Sequence, residues 1–297
     1  MPKLSIVIPT FNRKDKLERL IISLEGSIFK DFEIIVVDDC SSDGTDSMMK
    51  NSFPSIRYIR HESICLVGKS RNDGILASST NLILMIDDDN VVADDTIDNL
   101  MKYVEKFPDF GIIAAVSCYY DTPNTIMYAG SRYTRWSKRT ILLFSGMDKS
   151  IMKGKIIETD GFPNSYLLKR DLVISVGMTN PKIPFGGEDG FFQFKIKLAG
   201  YKLYCVGDSY VYHDMPRVKM SIRVTPFRLY YFIRGKITFV KELFPGLSQL
   251  SFAFFIPIYF LWYLFSSING EDKAACMKSV IYGTFDGLFN HYHMRYL

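Results

Sequence analysis

Three consecutive aspartates, Asp87, Asp88 and Asp89, directly follow the apolar segment "LILMI". Adjacent carboxylates repel one another, so three of them at the end of a buried strand indicate a charged ligand. Carboxylate oxygens are the ligands that Mg²⁺ and Mn²⁺ prefer, and these ions keep positions free for water or substrate phosphates. A capped strand end with solvated acids is the alternative, and the aspartates alone leave it open.

A second pair of acids, Asp38 and Asp39, follows another apolar segment in "VVDDCSSDGT". A carboxylate at this point could accept a hydrogen bond from the imide N–H of uracil or thymine. For Asp38 the alternative is an Asx turn and helix cap. Farther along, "GKSRN" supplies Lys69 and Arg71 at a predicted helix start. These cations could pair either with a diphosphate or with the aspartates.

Short apolar segments alternate with segments of helical periodicity through the first ninety residues. The predicted strands are "LSIVI", "FEIIVVDD", "SIRYI" and "LILMI", and a helix is predicted in each interval. This alternation predicts βαβ units, and therefore an α/β fold with a mostly parallel sheet flanked by helices. Ligands of such sheets bind beyond the carboxyl ends of the strands. Pro9, Thr10 and both groups of aspartates are therefore expected at one edge.

The composition indicates a globular protein without a nucleic-acid partner. Of the 297 residues, 47% are hydrophobic and 23% are charged, which excludes wholesale disorder. The net charge of +4 is too small to indicate a nucleic-acid binder. The five cysteines are scattered without a CxxC spacing, which argues against a disulfide framework or a structural zinc site. The N-terminus lacks a signal-peptide pattern, so the catalytic part is expected in the cytosol.

The C-terminal part differs in character, and we predict a boundary between residues 1–214 and 215–297. From Met215 to Lys241 the chain carries seven basic residues and no acid, which suits phosphate or an anionic membrane surface. From Phe252 to Phe265 it is apolar, interrupted by Pro257 and shorter than the ~20 residues of a spanning helix. An element in the membrane interface is expected. A single span, or a buried core helix at a dimer contact, remains open.

Six segments in order resemble the family-2 glycosyltransferases, which are inverting enzymes of the GT-A fold. They are "SIVIPTFNR", "VVDDCSSDGT", "GKSRNDGI", "LILMIDDDN", "GGEDGFFQFKIKLAGYKL" and "VYH". The resemblance runs from about Lys3 to His213. The segments "RLYYFIRGK" and "FDGL" near the C-terminus further resemble the rhamnosyltransferase-like branch.

The resemblance implies a set of nucleotide-binding residues, in which Asp39 reads the base and Asp88 approaches the ribose. It also implies a metal site, for Mg²⁺ or Mn²⁺, completed by the histidine of "VYH". The implied nucleotide-binding residues are Pro9, Thr10, Asn12, Asp39, Lys69, Arg71, Asp87 and Asp88. The implied metal ligands are Asp87, Asp89 and His213.

The catalytic base implied by the resemblance is Asp189 of "GGEDG", and Glu188 is the competing candidate. An acceptor hydroxyl is a poor nucleophile, and a positioned carboxylate that removes its proton contributes about 10²–10⁴-fold. Either acid could instead cap the helix that follows. The next segment, "FQFKIK", lacks the QxxRW-type signature of processive synthases. A transferase that adds a single sugar is therefore expected.

The expected partners are a nucleotide-sugar donor, a lipid-linked or glycan acceptor and the membrane surface, and a homodimer is left open. The expected location is peripheral, on the cytoplasmic face of the cell membrane. The alternative function is a nucleotide-sugar-binding membrane scaffold without turnover. The first strand is followed by "PTFNR" rather than GxGxxG, which argues against a dinucleotide-binding dehydrogenase. Four cations could meet a lipid phosphate or form a solvated loop: Arg132, Arg135, Lys138 and Arg139.

Overall fold

The computed structural model describes residues 2–215, 224–244, 246–270 and 272–296. The strands are β1 Leu4–Thr10, β2 Phe32–Asp38, β3 Arg57–Arg60, β4 Leu82–Ile86, β5 Asn90–Val92, β6 Phe110–Tyr119, β7 Ile126–Tyr128, β8 Ser131–Tyr133, β9 Thr140–Leu142, β10 Ile156–Glu158, β11 Ser165–Lys169 and β12 Lys202–His213. The helices are α1 Lys14–Glu25, α2 Thr45–Ser52, α3 Val67–Ala77, α4 Thr96–Lys106, α5 Arg170–Val176, α6 Glu188–Leu198, α7 Pro226–Leu243, α8 Leu247–Ser267 and α9 Lys273–Phe289. A 3₁₀ turn covers Lys149–Met152.

Within the described residues, one ten-stranded mixed sheet organises the first part of the chain. Its strand order is β10-β12-β6-β11-β4-β1-β2-β3, with β5 on β12 and β7 on β6. The strands β3, β2, β1 and β4 run parallel, as the alternating pattern predicts. The expected parallel order breaks at β11, which lies antiparallel between β4 and β6. Consequently β1, β2 and β4 share one carboxyl edge.

The central strands are buried on both faces, which explains their nearly continuous apolar sequence. In β1, Ile6 and Ile8 pack into one apolar cluster with residues of α1, α2 and α4. Val7 points to the opposite face and packs into a second cluster with residues of α3, α5 and α6. Two helical layers therefore hold the sheet rigidly, and the strand ends are left to bind ligands.

The helices α7, α8 and α9 form a third apolar cluster together with residues of α6. The approach of α9 to α7 is close, because a Cβ atom on Gly283 would lie 2.6 Å from the carbonyl oxygen of Tyr230. The glycine is therefore required by packing. The cluster connects these helices to the start of α6, where the predicted catalytic acids lie.

The helix α8 is longer than the apolar segment in the sequence suggests. It spans 21 residues and continues through Pro257. The apolar segment from Phe252 to Phe265 therefore underestimates the length of the helix. Among the described residues, Gln249–Ser267 is the one stretch long and apolar enough to cross a membrane. Only 11% of that stretch is buried, unlike a core helix of this chain.

Candidate active site at the carboxyl edge of the sheet

Hydrogen bonds join the ends of neighbouring strands at the carboxyl edge. The hydroxyl of Thr10, the last residue of β1, donates to Oδ2 of Asp88 at 2.7 Å. Asp38, the last residue of β2, is fully buried, and its Oδ1 accepts the backbone N–H of Ser41. That contact is the Asx turn considered as an alternative for Asp38. The predicted convergence of β1 and β4 at one edge is therefore present.

Arg71 of α3 is a buried cation that contacts three acids. Its guanidinium lies 2.6 Å from Oδ1 of Asp87 and 3.1 Å from Oδ2 of Asp189, and it also donates to Glu188. The Arg71 side chain is only 2% exposed. The three carboxylates need this buried cation, because burying a carboxylate without a counter-charge costs free energy. Arg71 thereby fixes the aspartates beyond β4 against the start of α6.

The predicted base, Asp189, lies in the first turn of α6, after two glycines with positive φ angles (Gly186, 76° and Gly187, 127°). The hydroxyl of Tyr166, in β11, donates to Oδ1 of Asp189. Burial raises the pKa of the Asp189 carboxyl, Arg71 opposes this, and Glu188 adds to the rise. A raised pKa strengthens a carboxylate as a base, which suits proton removal from a hydroxyl.

Arg13 is a site residue that sequence reasoning missed. Its guanidinium lies 2.9 Å from Oδ1 of Asp88 and 2.8 Å from Oδ2 of Asp89. Burial raises the pKa of Asp88 to about 6, and the Arg13 charge works against that rise. The signal was available, since Arg13 ends the "PTFNR" segment directly after β1.

His213 meets the aspartates from the end of β12. Its Nε2 lies 3.0 Å from Oδ1 of Asp89. The position follows from strand pairing, because β12 and β5 are antiparallel and His213 lies opposite Asn90. Burial alone would raise the pKa of Asp89, but contact with His213 and the charges of Arg13 and Lys16 lower it to about 2.

The residues present fit a divalent cation. A buried carboxylate oxygen that faces an imidazole nitrogen needs a shared proton or a shared cation. Oδ1 of Asp89 is buried, and no donor with good hydrogen-bond geometry reaches it within the described residues. Carboxylate oxygens suit Mn²⁺ and Mg²⁺, and the imidazole adds a nitrogen ligand of the kind that transition-metal ions accept. Asp87, two residues earlier, is held at the same strand end by Arg71.

Asp39 is held rigidly by the chain that precedes α3. Its two carboxylate oxygens accept the backbone N–H groups of Cys65 and Leu66, each at 2.8 Å. Oδ1 also lies 2.8 Å from Nδ1 of His61, whose Nε2 lies 2.8 Å from Asp73. Asp39, His61 and Cys65 offer ligand atoms within 4.8 Å of one another. Because backbone donors already fix Asp39, its remaining lone pairs are well placed to read a donor on a ligand.

Two of the predicted nucleotide-binding residues lie apart from this constellation. Lys69 is half exposed and pairs with Asp73 at 2.6 Å, rather than with the aspartates at the strand ends. Asn12 is exposed with φ of 52°, and its side-chain oxygen accepts the backbone N–H of Ser42. Neither contact involves the aspartates that follow β4.

A cavity of about 480 Å³ adjoins the carboxyl edge, and we call it the strand-end cavity. Aromatic side chains cover part of it, namely Phe11, Phe185, Phe227 and Tyr296. None of the four was predicted, because they come together only through the fold. The predicted residues that line the cavity are Pro9, Thr10, Asp39, Arg71, Asp87, Asp88 and Glu188. Aromatic rings and fixed charges together suit a ligand that has both a planar base and a charged end.

Comparison with known proteins agrees with this geometry. The model of the family "Glycosyl transferase family 2" matches residues 5–162, more than half of the chain. The chain is 37% identical over 106 residues to the Campylobacter jejuni GalNAc(5)-diNAcBac-PP-undecaprenol beta-1,3-glucosyltransferase, covering 34% of each protein. It is 30% identical over 172 residues to the uncharacterized Bacillus subtilis glycosyltransferase YfnE, covering 57% of this chain and 42% of that one.

The matched segment spans about a third of the Campylobacter relative's length. Solved structures are similar over nearly the whole chain, at low identity. A structure of GalNAc-T7 with UDP, GalNAc and Mn²⁺ aligns at a TM-score of 0.66 and 17% identity, over 98% of this chain and 58% of that one. The mannosyltransferase PcManGT of Pyrobaculum calidifontis, with GDP-Man and Mn²⁺, aligns at 0.59 and 14%, over 98% and 88%. These likenesses confirm the GT-A-like fold.

Proposed function

Because the chain belongs to glycosyl transferase family 2, we propose that it is an inverting, metal-dependent transferase of single sugars. The donor is a nucleoside-diphosphate sugar of the UDP or dTDP type, and the acceptor is a lipid-linked or glycan hydroxyl. One observation carries the proposal: Arg71, which lines the strand-end cavity with Asp87 and Glu188, also contacts Asp189 behind them. A donor in that cavity would have its reacting carbon near a base.

The nucleotide occupies the strand-end cavity. Asp39 accepts the imide N–H of the base, because both of its oxygens are oriented by backbone donors. The ribose lies toward Asp88, and Pro9 and Thr10 line the wall beside it. Arg71 lies close to the diphosphate, and Arg13 adds a second cation that contacts Asp88. We place Asn12 and Lys69 at the rim of the strand-end cavity, since their present contacts are exposed and could be replaced by contacts with the nucleotide.

Asp87, Asp89 and His213 would hold Mg²⁺ or Mn²⁺. When bound, such a cation stabilises the negative charge that grows on the departing diphosphate. The structure of GalNAc-T7 and that of PcManGT each include Mn²⁺. Arg13 supplies positive charge to Asp89 and to the neighbouring Asp88.

Asp189 acts as the general base. The acceptor hydroxyl oxygen forms a bond to the anomeric carbon of the donor while the bond from that carbon to the phosphate oxygen breaks. The hydroxyl proton passes to Asp189, and the nucleoside diphosphate leaves on the opposite face. A single displacement of this kind inverts the anomeric carbon. Glu188, which accepts hydrogen bonds from Arg71 and from the backbone N–H of Gly187, is the alternative base.

The transferred sugar is a hexose or a deoxyhexose, and the two segments that resemble rhamnosyltransferases support the deoxyhexose. They lie in α7 and α9, where Asp286 accepts hydrogen bonds from Tyr230 and Arg295. The proposed division of the chain is a catalytic part, residues 1–214, and a helical part, residues 215–297. A homodimer through the helical part is compatible with this division.

The helical part associates with the cytoplasmic face of the cell membrane. The exposed apolar surface of α8 supports this location, since Phe254 and Phe265 are 81% and 70% exposed. The basic segment before α7 would add attraction to anionic lipids. Three of its cations, Arg217, Lys219 and Arg223, lie outside the described residues.

The test is a screen of UDP- and dTDP-sugars against the purified full-length chain, with and without Mn²⁺. Slow hydrolysis of one donor, with release of nucleoside diphosphate only when metal is present, is the expected result. Calorimetry with UDP and dTDP measures binding separately. If neither nucleotide binds with Mn²⁺ present, the proposal fails. Binding without any hydrolysis, also in the presence of membrane lipid extract, would favour the non-catalytic scaffold.

A further inference from the structure

A second cavity, of about 650 Å³, lies between the sheet and the C-terminal helices. We call it the helical cavity. Its walls come from the β8–β9 hairpin, from α7 and α8, and from Gly186 and Gly187. These two glycines directly precede Glu188 and Asp189. The helical cavity therefore extends to the glycines that lead into the proposed catalytic acids, and its lining shares no residue with that of the strand-end cavity.

Cations without acidic partners line the helical cavity. Lys236 of α7 is half-buried, donates to the backbone oxygen of Lys138, and lies 5.6 Å from the ring centre of Tyr133. Burial and the charge of Lys138 lower the pKa of Lys236 to about 8. In the part of the chain that the structure describes, no carboxylate forms an ion pair with Lys236, Lys138 or Arg139. Uncompensated cations in such surroundings favour an anionic ligand.

One wall of the cavity belongs to α8 and is mostly apolar, with Tyr259 and Tyr263 as its polar members. Phe255, Ile258 and Trp262 line the cavity from this helix. The same helix is the candidate membrane span, and its outer surface is exposed. A hydrocarbon chain could thus pass from the bilayer along α8 into the cavity without crossing water. A soluble glycan would instead need polar side chains along this wall, and α8 offers few.

We propose that the helical cavity binds the acceptor, and that the acceptor is a sugar joined through a diphosphate to a long hydrocarbon chain, the sugar supplying the reacting hydroxyl. Its phosphates lie at Lys236 and Arg139, its chain lies along α8, and its reacting hydroxyl reaches past Gly186 and Gly187. This inference rests on the proposed transferase function and narrows its acceptor to the lipid-linked class. Charge complementarity and continuity with the catalytic loop carry it.

The two tryptophans of the chain allow a direct test, because Trp262 lines the cavity and Trp136 is removable as Trp136→Phe. The full-length chain in phosphatidylcholine nanodiscs is titrated with farnesyl diphosphate, and Trp262 fluorescence is followed. Saturable binding at least about tenfold tighter than that of farnesol or inorganic diphosphate is expected. Lys236→Gln should weaken it about tenfold, since hydrogen bonds to charged groups are the strong ones. Arg139→Gln, at an exposed position, provides a second variant that spares the core.

Lys278→Gln is the matched control, because Lys278 is exposed on α9 and does not line the cavity. Its farnesyl diphosphate binding should equal that of the parent. Unchanged binding in both Lys236→Gln and Arg139→Gln would overturn the proposal, as would equal competition by phosphatidylglycerol, which would indicate a headgroup site. UDP and dTDP binding is measured in the same samples. If the parent protein binds UDP or dTDP but not farnesyl diphosphate, the proposed acceptor site is wrong and the transferase function is unaffected. If the parent protein binds neither nucleotide, the proposed transferase function is wrong.

Discussion

Glu188 lines the strand-end cavity and the two glycines directly before it line the helical cavity, but the cations of the two cavities differ in their partners. At the strand ends both arginines have carboxylate partners: the buried Arg71 contacts three and the more exposed Arg13 contacts two. In the helical cavity Lys236 contacts a backbone oxygen and aromatic rings instead, and so does its neighbour Lys138.

This difference indicates which cations already have counter-charges within the chain and which do not. At the strand ends the chain's own arginines hold the acids, so the geometry of the proposed catalytic acids is set before any substrate arrives. The cations of the helical cavity are left to be compensated by a ligand. Each of the following predictions tests one side of this contrast.

The largest expected effect concerns the proposed base. Asp189→Asn keeps a side-chain oxygen for the Tyr166 hydroxyl but cannot take a proton. Release of nucleoside diphosphate in the presence of lipid extract should fall by about 10²–10⁴-fold. Binding of UDP or dTDP, measured by calorimetry, should stay within about twofold, because the base contacts the acceptor rather than the nucleotide.

Glu188→Gln is the companion variant, since Glu188 precedes the base and shares its Arg71 contact. Its turnover should fall much less than that of Asp189→Asn. The reverse order, with turnover retained in Asp189→Asn and abolished in Glu188→Gln, would transfer the role of base to Glu188.

The next effect tests charge compensation at the strand ends. Arg71→Met leaves Asp87, Glu188 and Asp189 together without their shared cation. The free energy of unfolding should fall by about 3–5 kcal/mol, the range for breaking a buried ion pair. Urea denaturation followed by circular dichroism measures it.

Lys102→Met is the control, because the Lys102–Asp98 pair on α4 lies at the surface. It should change the free energy of unfolding by less than about 1 kcal/mol. Equal, small losses in the two variants would mean that the three acids are not held as charges by Arg71.

The sequence predicted the strand-end side of this contrast well. Apolar strands followed at once by acids place Asp87, Asp88 and Asp89 at a carboxyl edge by local pattern alone, and the fold class follows from the same alternation. The contacts of Arg71 with α6 are different, because they span more than a hundred residues of sequence. They could be expected only from the resemblance to a family.

The helical side was harder to predict, for a physical reason. Lys236 and Trp262 meet in one cavity through the packing of α7, α8 and the β8–β9 hairpin, and no periodicity in any one segment encodes that. Tyr166 was also missed, because nothing in the sequence around a tyrosine in a strand indicates that it contacts Asp189 of α6. The length of α8 was underestimated because flanking polar residues continue the helix beyond its apolar centre.

A smaller effect tests whether α8 meets the membrane. Leu261 of α8 and Leu198 at the end of α6 are both 61% exposed, so they form a matched pair. Leu261→Arg should lower the partition of the full chain into phosphatidylglycerol vesicles by about a hundredfold, from a cost of about 2.5–3.5 kcal/mol for a cation at mid-membrane. Leu198→Arg should leave it unchanged in the same sedimentation assay. Equal partition of the two variants would contradict the proposal that α8 contacts the membrane.

The smallest effect is the pH dependence of the helical cavity. Burial and Lys138 lower the pKa of Lys236 to about 8, so Lys236 is mostly charged at pH 7 and mostly neutral at pH 9. Farnesyl diphosphate should therefore bind about tenfold more weakly at pH 9 than at pH 7, since only the charged form pairs with phosphate. The neighbouring groups are the charges of Lys138 and Arg139 and the phenols of Tyr133 and Tyr259.

Lys236→Arg separates this titration from other causes, because a guanidinium stays charged throughout the range. Its binding, followed by Trp262 fluorescence, should be nearly the same at pH 7 and pH 9. A tenfold loss that persists in Lys236→Arg would assign the pH dependence to another group. A parent protein without any loss would mean that the phosphates do not lie at Lys236, and the contrast between the two cavities would then rest on the strand-end side alone.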